Sequence, residues 1–215
     1  RDEPSFRKVA HLARRLTSEG FFMASGGGPG IMEATNLGAY LADLSEKELN
    51  GVLDDLATAP RYSDKGYLDA ANRVIEQYPA GHSSVAVPTW FYGHEPTNMF
   101  SAHVAKYFSN SIREDGLLAI ARYGIIFAPG RAGTTQEIFQ DACQNHYATF
   151  GEISPMVFLD SDRYTKETPL WETINKLADG RHFKDLLKLS DEVGEIVEFI
   201  KNNPPLPSDG LKELV

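Results

Sequence analysis

Twice along this chain a short apolar run ends in a glycine cluster that opens a helix. The first is Phe21-Phe22-Met23-Ala24-Ser25, followed by Gly26-Gly27-Gly28-Pro29-Gly30 and a helix with Ile31, Ala34, Gly38 and Leu41 on one face. The second is Gly124-Ile125-Ile126-Phe127-Ala128, followed by Pro129-Gly130-Arg131-Ala132-Gly133-Thr134-Thr135. Its helix carries Ile138, Phe139, Ala142, Cys143, His146 and Tyr147 at core spacing. Strand, glycine loop, helix is the unit from which α/β sheets are assembled.

The rest of the chain keeps that rhythm. A first helix runs through Phe6, Val9, Ala10, Ala13 and Leu16 and meets a stop signal at Gly20. Further strands are expected at 84–88, 155–159 and 187–189. Further helices are expected through Phe100, Val104 and Phe108, then over 112–122, 171–177 and through Val193, Ile196, Val197 and Ile200. Residues 43–80 interrupt the alternation with eight acidic side chains against four basic ones and no strand pattern, so they read as an inserted helical segment over one face or edge. Apolar strands alternating with helices predict a doubly wound, Rossmann-like α/β fold, a parallel sheet with helices on both faces. Residues 1–203 are read as one domain and 204–215, which begin with Pro204-Pro205-Leu206-Pro207, as a tail. The chain opens on Arg1, and its first helix has no strand before it. The initial strand is therefore expected upstream of residue 1.

Composition narrows the ligand. Thirty acidic residues against 21 basic give a net charge of −9, which argues against binding a nucleic-acid polymer or an anionic membrane, since both need clustered cations. No apolar run reaches the ~18 residues of a membrane span. The single cysteine, Cys143, leaves no internal disulfide and fits a cytoplasmic protein. An anion must therefore be held locally. The backbone N–H groups and the helix dipole at a glycine-loop helix start provide that without a basic protein. One such loop is weak evidence, because glycines also make tight turns; two in one sheet, the second with paired threonines, point to a phosphate in the crevice beyond the strand ends where both loops converge. A dinucleotide fingerprint fails, because the sixth position counted from Gly26 is Ile31. A P-loop fails because Gly133-Thr134-Thr135 has no lysine.

The stretch Ser25-Gly26-Gly27-Gly28-Pro29-Gly30-Ile31-Met32-Glu33-Ala34, followed by Pro129-Gly130-Arg131-Ala132-Gly133-Thr134-Thr135-Gln136-Glu137, resembles the LOG (Lonely Guy) family, whose members often carry the label "lysine decarboxylase-like". The resemblance covers about residues 4 to 200, with 43–80 outside it. It implies a phosphoribohydrolase that cleaves the N-glycosidic bond of a nucleoside 5′-monophosphate to free base and ribose 5-phosphate, and a homodimer or higher homo-oligomer. It further implies that the second signature's final glutamate, here Glu137, and an arginine on the preceding helix carry the chemistry. That arginine corresponds to Arg113, although ungapped counting back from Pro129 reaches Glu114. Gly26, Gly27, Gly28 and Gly30 would lie beside the nucleotide, and Gly130, Arg131, Gly133, Thr134 and Thr135 would hold its phosphate.

The residues themselves support those roles. Breaking a ribosyl C–N bond develops oxocarbenium character, which a carboxylate stabilises while it orients or deprotonates water. An arginine holds a phosphate or carboxylate through paired hydrogen bonds. The plainer readings are a first-turn glutamate favoured by the helix dipole and a surface ion pair of Arg113 with Glu114 or Asp115. Arg131 departs from the family, which has glycine there; its side chain either narrows the phosphate approach or adds a cation, and a positive φ would strain it. In the loop Thr89 to Asn98, Trp90 could stack on a base and Glu95 or Asn98 could read its edge, or the loop packs against the insertion or a partner subunit. His94 lacks any partner at metal-ligand spacing, so no metal is expected. No lysine adjoins either loop, which removes pyridoxal phosphate chemistry, and no cofactor is expected. The competing class is a nucleotide-binding or sensing protein without turnover.

Overall fold

Helix α1 (Pro4–Ser18) turns Phe6, Val9, Ala10, Leu12, Ala13 and Leu16 inward in a computed structural model that describes residues 1–90 and 98–208. Gly20 ends it at φ +92, with its own N–H bonded to the Thr17 carbonyl and the Phe21 N–H to that of Leu16. That pair of bonds closes the helix in a Schellman motif. Gly38 of α2 (Ile31–Tyr40) lies so close to the Ala10 carbonyl that a Cβ there would overlap it. The two helices thereby pack nearly backbone to backbone.

The chain divides into two compact units, Arg1–Leu117 and Leu118–Val215. The first holds a parallel sheet of β1 (Ala24–Ser25), β2 (Val85–Ala86) and β3 (His103–Val104) in that order, with Ala24 opposite Val85 and Val85 opposite His103. The inserted segment is helical, as expected. α3 (Glu46–Leu56) starts at a capping box in which Ser45 and Glu48 exchange bonds, and it buries Leu49, Val52, Leu53 and Leu56. α4 (Tyr67–Gln77) buries Tyr67, Ala70, Ala71 and Val74. Both helices therefore contribute an apolar stripe to the core of their unit.

The second unit, described as far as residue 208, holds a parallel sheet of β4 (Ile125–Phe127), β6 (Met156–Phe158) and β7 (Leu187–Leu189), with β6 central and buried throughout. Helix α5 (Asn110–Ile120) carries the unit boundary, and α6 (Ala132–Tyr147), α7 (Leu170–Leu177) and α8 (Val193–Asn202) follow within the second unit. Phe127, Phe158, Ile138 and Tyr164 form the centre of its core. The architecture is α/β with small parallel sheets and helices, and no described helix is long and apolar enough to cross a membrane.

Two elements and the pairing of the strands differ from the sequence reading. The helix expected through Phe100, Val104 and Phe108 is instead β3 and its extension, with the N–H groups of His103, Ala105 and Tyr107 bonded to the carbonyls of Ser84, Ala86 and Pro88. A spacing of four fits the period of a strand as well as that of a helix, so the pattern could not separate them. Leu206–Pro207 in the expected tail forms β8, antiparallel to β5 (Glu152–Ile153); proline is tolerated on such an edge. The described strands pair as two separate parallel sheets and this antiparallel pair.

Candidate functional site

The first glycine loop joins β1 to α2. Gly27 and Gly30 have φ of +77° and +74°, which side chains rarely adopt, and Gly30 is the residue from which α2 starts. Gly26, Gly27 and Gly28 are buried. A Cβ on Gly26 would overlap the Arg113 guanidinium, so the missing side chain makes room for that arginine. Arg113 donates from Nε to the Val87 carbonyl at 2.9 Å, and its Nη2 approaches the Gly26 carbonyl at 3.5 Å. The helix residue singled out from the sequence is thus seated against the first loop. Its neighbour Glu114 is buried and accepts from Asn110 at 2.8 Å.

A buried polar chain locks this loop from behind. The Ser25 hydroxyl accepts from the Gly27 N–H at 3.1 Å and donates to Asn36 Oδ1 at 2.6 Å. Asn36 Nδ2 donates to Ser84 at 2.8 Å, and Asn98 Nδ2 donates to Asn36 Oδ1 at 2.9 Å. Asn98 also accepts the Phe100 N–H, so its side chain is turned inward rather than toward a base. Trp90 is exposed, with Lys106 Nζ 4.3 Å from its ring centre and Phe108 stacked at 6.0 Å. Glu95 and His94 lie outside the described residues.

The second loop joins β4 to α6 and is open where the first is closed. Arg131, Ala132 and Gly133 are exposed, and Arg131 precedes α6 without any side-chain cap. The first-turn N–H groups of this 16-residue helix thus receive no bond from the side chain at its N-cap. Arg131 has φ −109°, outside the left-handed region that favours glycine, so arginine is accommodated there. The Thr134 side chain folds over Gly130, where a Cβ would overlap it. Thr135 Oγ1 bonds back to the Arg131 carbonyl at 3.3 Å. Glu137 is half-buried one turn after Gly133 and so shares its face of the helix.

Several chemically committed side chains escaped the sequence reading. Arg1 is buried and binds Glu33 of α2 through two guanidinium nitrogens, Nε to Oε2 at 2.9 Å and Nη2 to Oε1 at 2.5 Å. Its guanidinium lies 3.4 Å from the ring centre of Tyr67, whose hydroxyl donates to Glu33 at 2.7 Å. Burial, reinforced by the Glu33 carboxylate, pushes the Tyr67 phenol up, so it stays a donor. On α6, Asp141 is buried with Oδ2 lacking a partner among the described residues, and burial pushes its carboxyl up to about 8. It lines a cavity of about 20 Å³ with Arg122, Asn145 and Glu152, room for a single water. Arg163 and Tyr164, just past β6, reach the second loop: Arg163 Nη2 donates to the Gly130 carbonyl at 2.7 Å and the Tyr164 hydroxyl to that of Ala128 at 2.8 Å. Their place after a strand's carboxyl end was the one signal in the sequence. Among the described residues no three His, Cys, Asp or Glu side chains gather as a metal site.

Comparison with protein-family models and with curated proteins returned no match to this chain.

Proposed function

We propose that this chain is a nucleoside 5′-monophosphate phosphoribohydrolase of the Lonely Guy type, built on a Rossmann-like doubly wound sheet and acting in the cytoplasm as a homodimer. The observation that carries the reading is the exposed start of α6, which has no side-chain cap, with Thr134 of its first turn folded over Gly130 and Glu137 one turn along. Phosphate would accept from the N–H groups of that first turn, and the dipole of α6 would favour its charge. Glu137 would then face the ribose. Its carboxylate would stabilise positive charge developing at C1′ and take a proton from the attacking water. The C1′–N bond breaks, the water oxygen bonds C1′, and the departing base nitrogen gains a proton. Arg113, seated on the first glycine loop, would be the arginine that the resemblance assigns to the chemistry.

The test is a panel of nucleoside 5′-monophosphates, including a cytokinin nucleotide, with chromatography for free base and a parallel assay for ribose 5-phosphate. Both products are expected from one or a few nucleotides. Glu137→Gln should lower turnover about 100-fold or more with nucleotide binding retained. The second reading is a nucleotide sensor, favoured by the Arg131 departure. Thermal stabilisation by these nucleotides without product release would establish it and end the enzyme reading.

A further inference from the structure

Resting on the phosphoribohydrolase reading, we infer that Arg163 and Tyr164 are positioning residues that aim the second glycine loop at the substrate's phosphate. They hold alternate carbonyls of one short stretch, Tyr164 that of Ala128 and Arg163 that of Gly130. A trans peptide is planar, with its C=O and N–H pointing opposite ways. Drawing the Gly130 carbonyl onto Arg163 therefore turns the N–H of Arg131, the residue from which α6 starts, away from the guanidinium. The Arg163 guanidinium also places a cation directly against the Gly130 carbonyl.

The scaffold that presents these two side chains is itself unusual. They sit in a single π-helical turn, Arg163–Glu167, and such turns are rare and concentrate at functional sites. Asp160, which leads into it, has φ +92°, an uncommon conformation for a residue with a side chain. It is used: Asp160 Oδ1 accepts the Arg163 N–H at 3.0 Å, and its carbonyl accepts the Tyr164 N–H at 3.3 Å. Glu167 accepts from Arg163 Nη1 at 3.1 Å, and the Arg163 carbonyl accepts from Thr168. The Tyr164 ring is buried edge-on against Phe158 at 5.2 Å. Burial pushes its phenol up, with Arg163 opposing and Asp160 and Glu137 adding to the rise, so the hydroxyl remains a donor.

The full chain and its Arg163→Gln, Arg163→Lys and Tyr164→Phe variants decide the matter. The measurements are calorimetric binding of ribose 5-phosphate and inorganic phosphate, KM and kcat for the hydrolysed nucleotide, and thermal melting. Arg163→Gln should weaken both ligands and raise KM about 10-fold while kcat moves much less, because the loss falls on phosphate orientation. Arg163→Lys should recover part of the loss, since it keeps the charge without the planar fork. Tyr164→Phe should act in the same direction and more weakly, and both of these conservative variants keep the test open should Arg163→Gln fail to fold. Lower melting temperatures with unchanged phosphate affinity and KM would overturn the positioning role and leave the function standing. Wild-type protein that binds neither ribose 5-phosphate nor phosphate would overturn both.

Discussion

The two strand–glycine loop–helix units look alike in sequence and are put to different use. In the first, Gly26, Gly27 and Gly28 are buried, the Gly27 N–H is taken by Ser25, and Arg113 fills the space that Gly26 leaves. In the second, the residues after Gly130 are exposed and the helix start has no side-chain cap. The helices that follow diverge as well. α2 buries a carboxylate, Glu33, against the guanidinium of Arg1, whereas α6 buries Asp141 with one oxygen lacking a hydrogen-bond partner among the described residues. A glycine loop before a helix thus fixes a local geometry without fixing its task. Its surroundings decide whether the amides are consumed by the protein or left for a ligand.

Removing a charge should separate the two helices most sharply. Glu33→Ala strands a buried guanidinium and should cost about 3–5 kcal/mol in urea unfolding, while Glu137→Gln at the open helix should stay within about 0.5 kcal/mol. Equal losses would remove the contrast. Asp141→Asn should stabilise, and in a pH-dependent way. With its folded value raised from 3.8 to about 8, Asp141 holds a proton in the folded state across that window, so the wild type loses stability as pH rises through it. The variant should melt roughly 5 °C above wild type at pH 9, with the gap narrowing as pH falls toward 4. A gap that does not vary with pH would show that Asp141 is ionised in the fold. The smallest effect belongs to Arg131→Gly. Because Arg131 is exposed and its φ lies outside the left-handed region, melting should be unchanged, and phosphate affinity should fall about 3-fold or less.

Much of the architecture could be read from periodicity. The limits of α1, its stop at Gly20, the second glycine loop and the strand at 187–189 follow from local signals, because a helix stripe, a left-handed glycine and a short apolar run act within a few residues. The strand at 103–104 could not be read. Its N–H groups bond to partners nearly 20 residues away, and its apolar spacing suits either element. Within the two glycine-loop regions, Gly26 and Arg113 in the first unit and Gly130, Thr134 and Glu137 in the second were legible through motif and spacing, and the structure joins Arg113 to Gly26 and Thr134 to Gly130. Asn98 carried no mark of its inward commitment to Asn36, 62 residues away in the chain.

The sequence by itself determined the alternation of helices and strands, the two glycine loops, the acidic balance and the carboxylate one turn into α6. All of these depend on residue type and short-range spacing. The tertiary structure alone decided which loop is closed and which is open, that Arg1 reaches Glu33 and Tyr67, that Asp141 is buried, and that Arg163 and Tyr164 grip the loop after β4. Each of these brings together groups from separate elements, and burial or pairing exists only once those elements have packed.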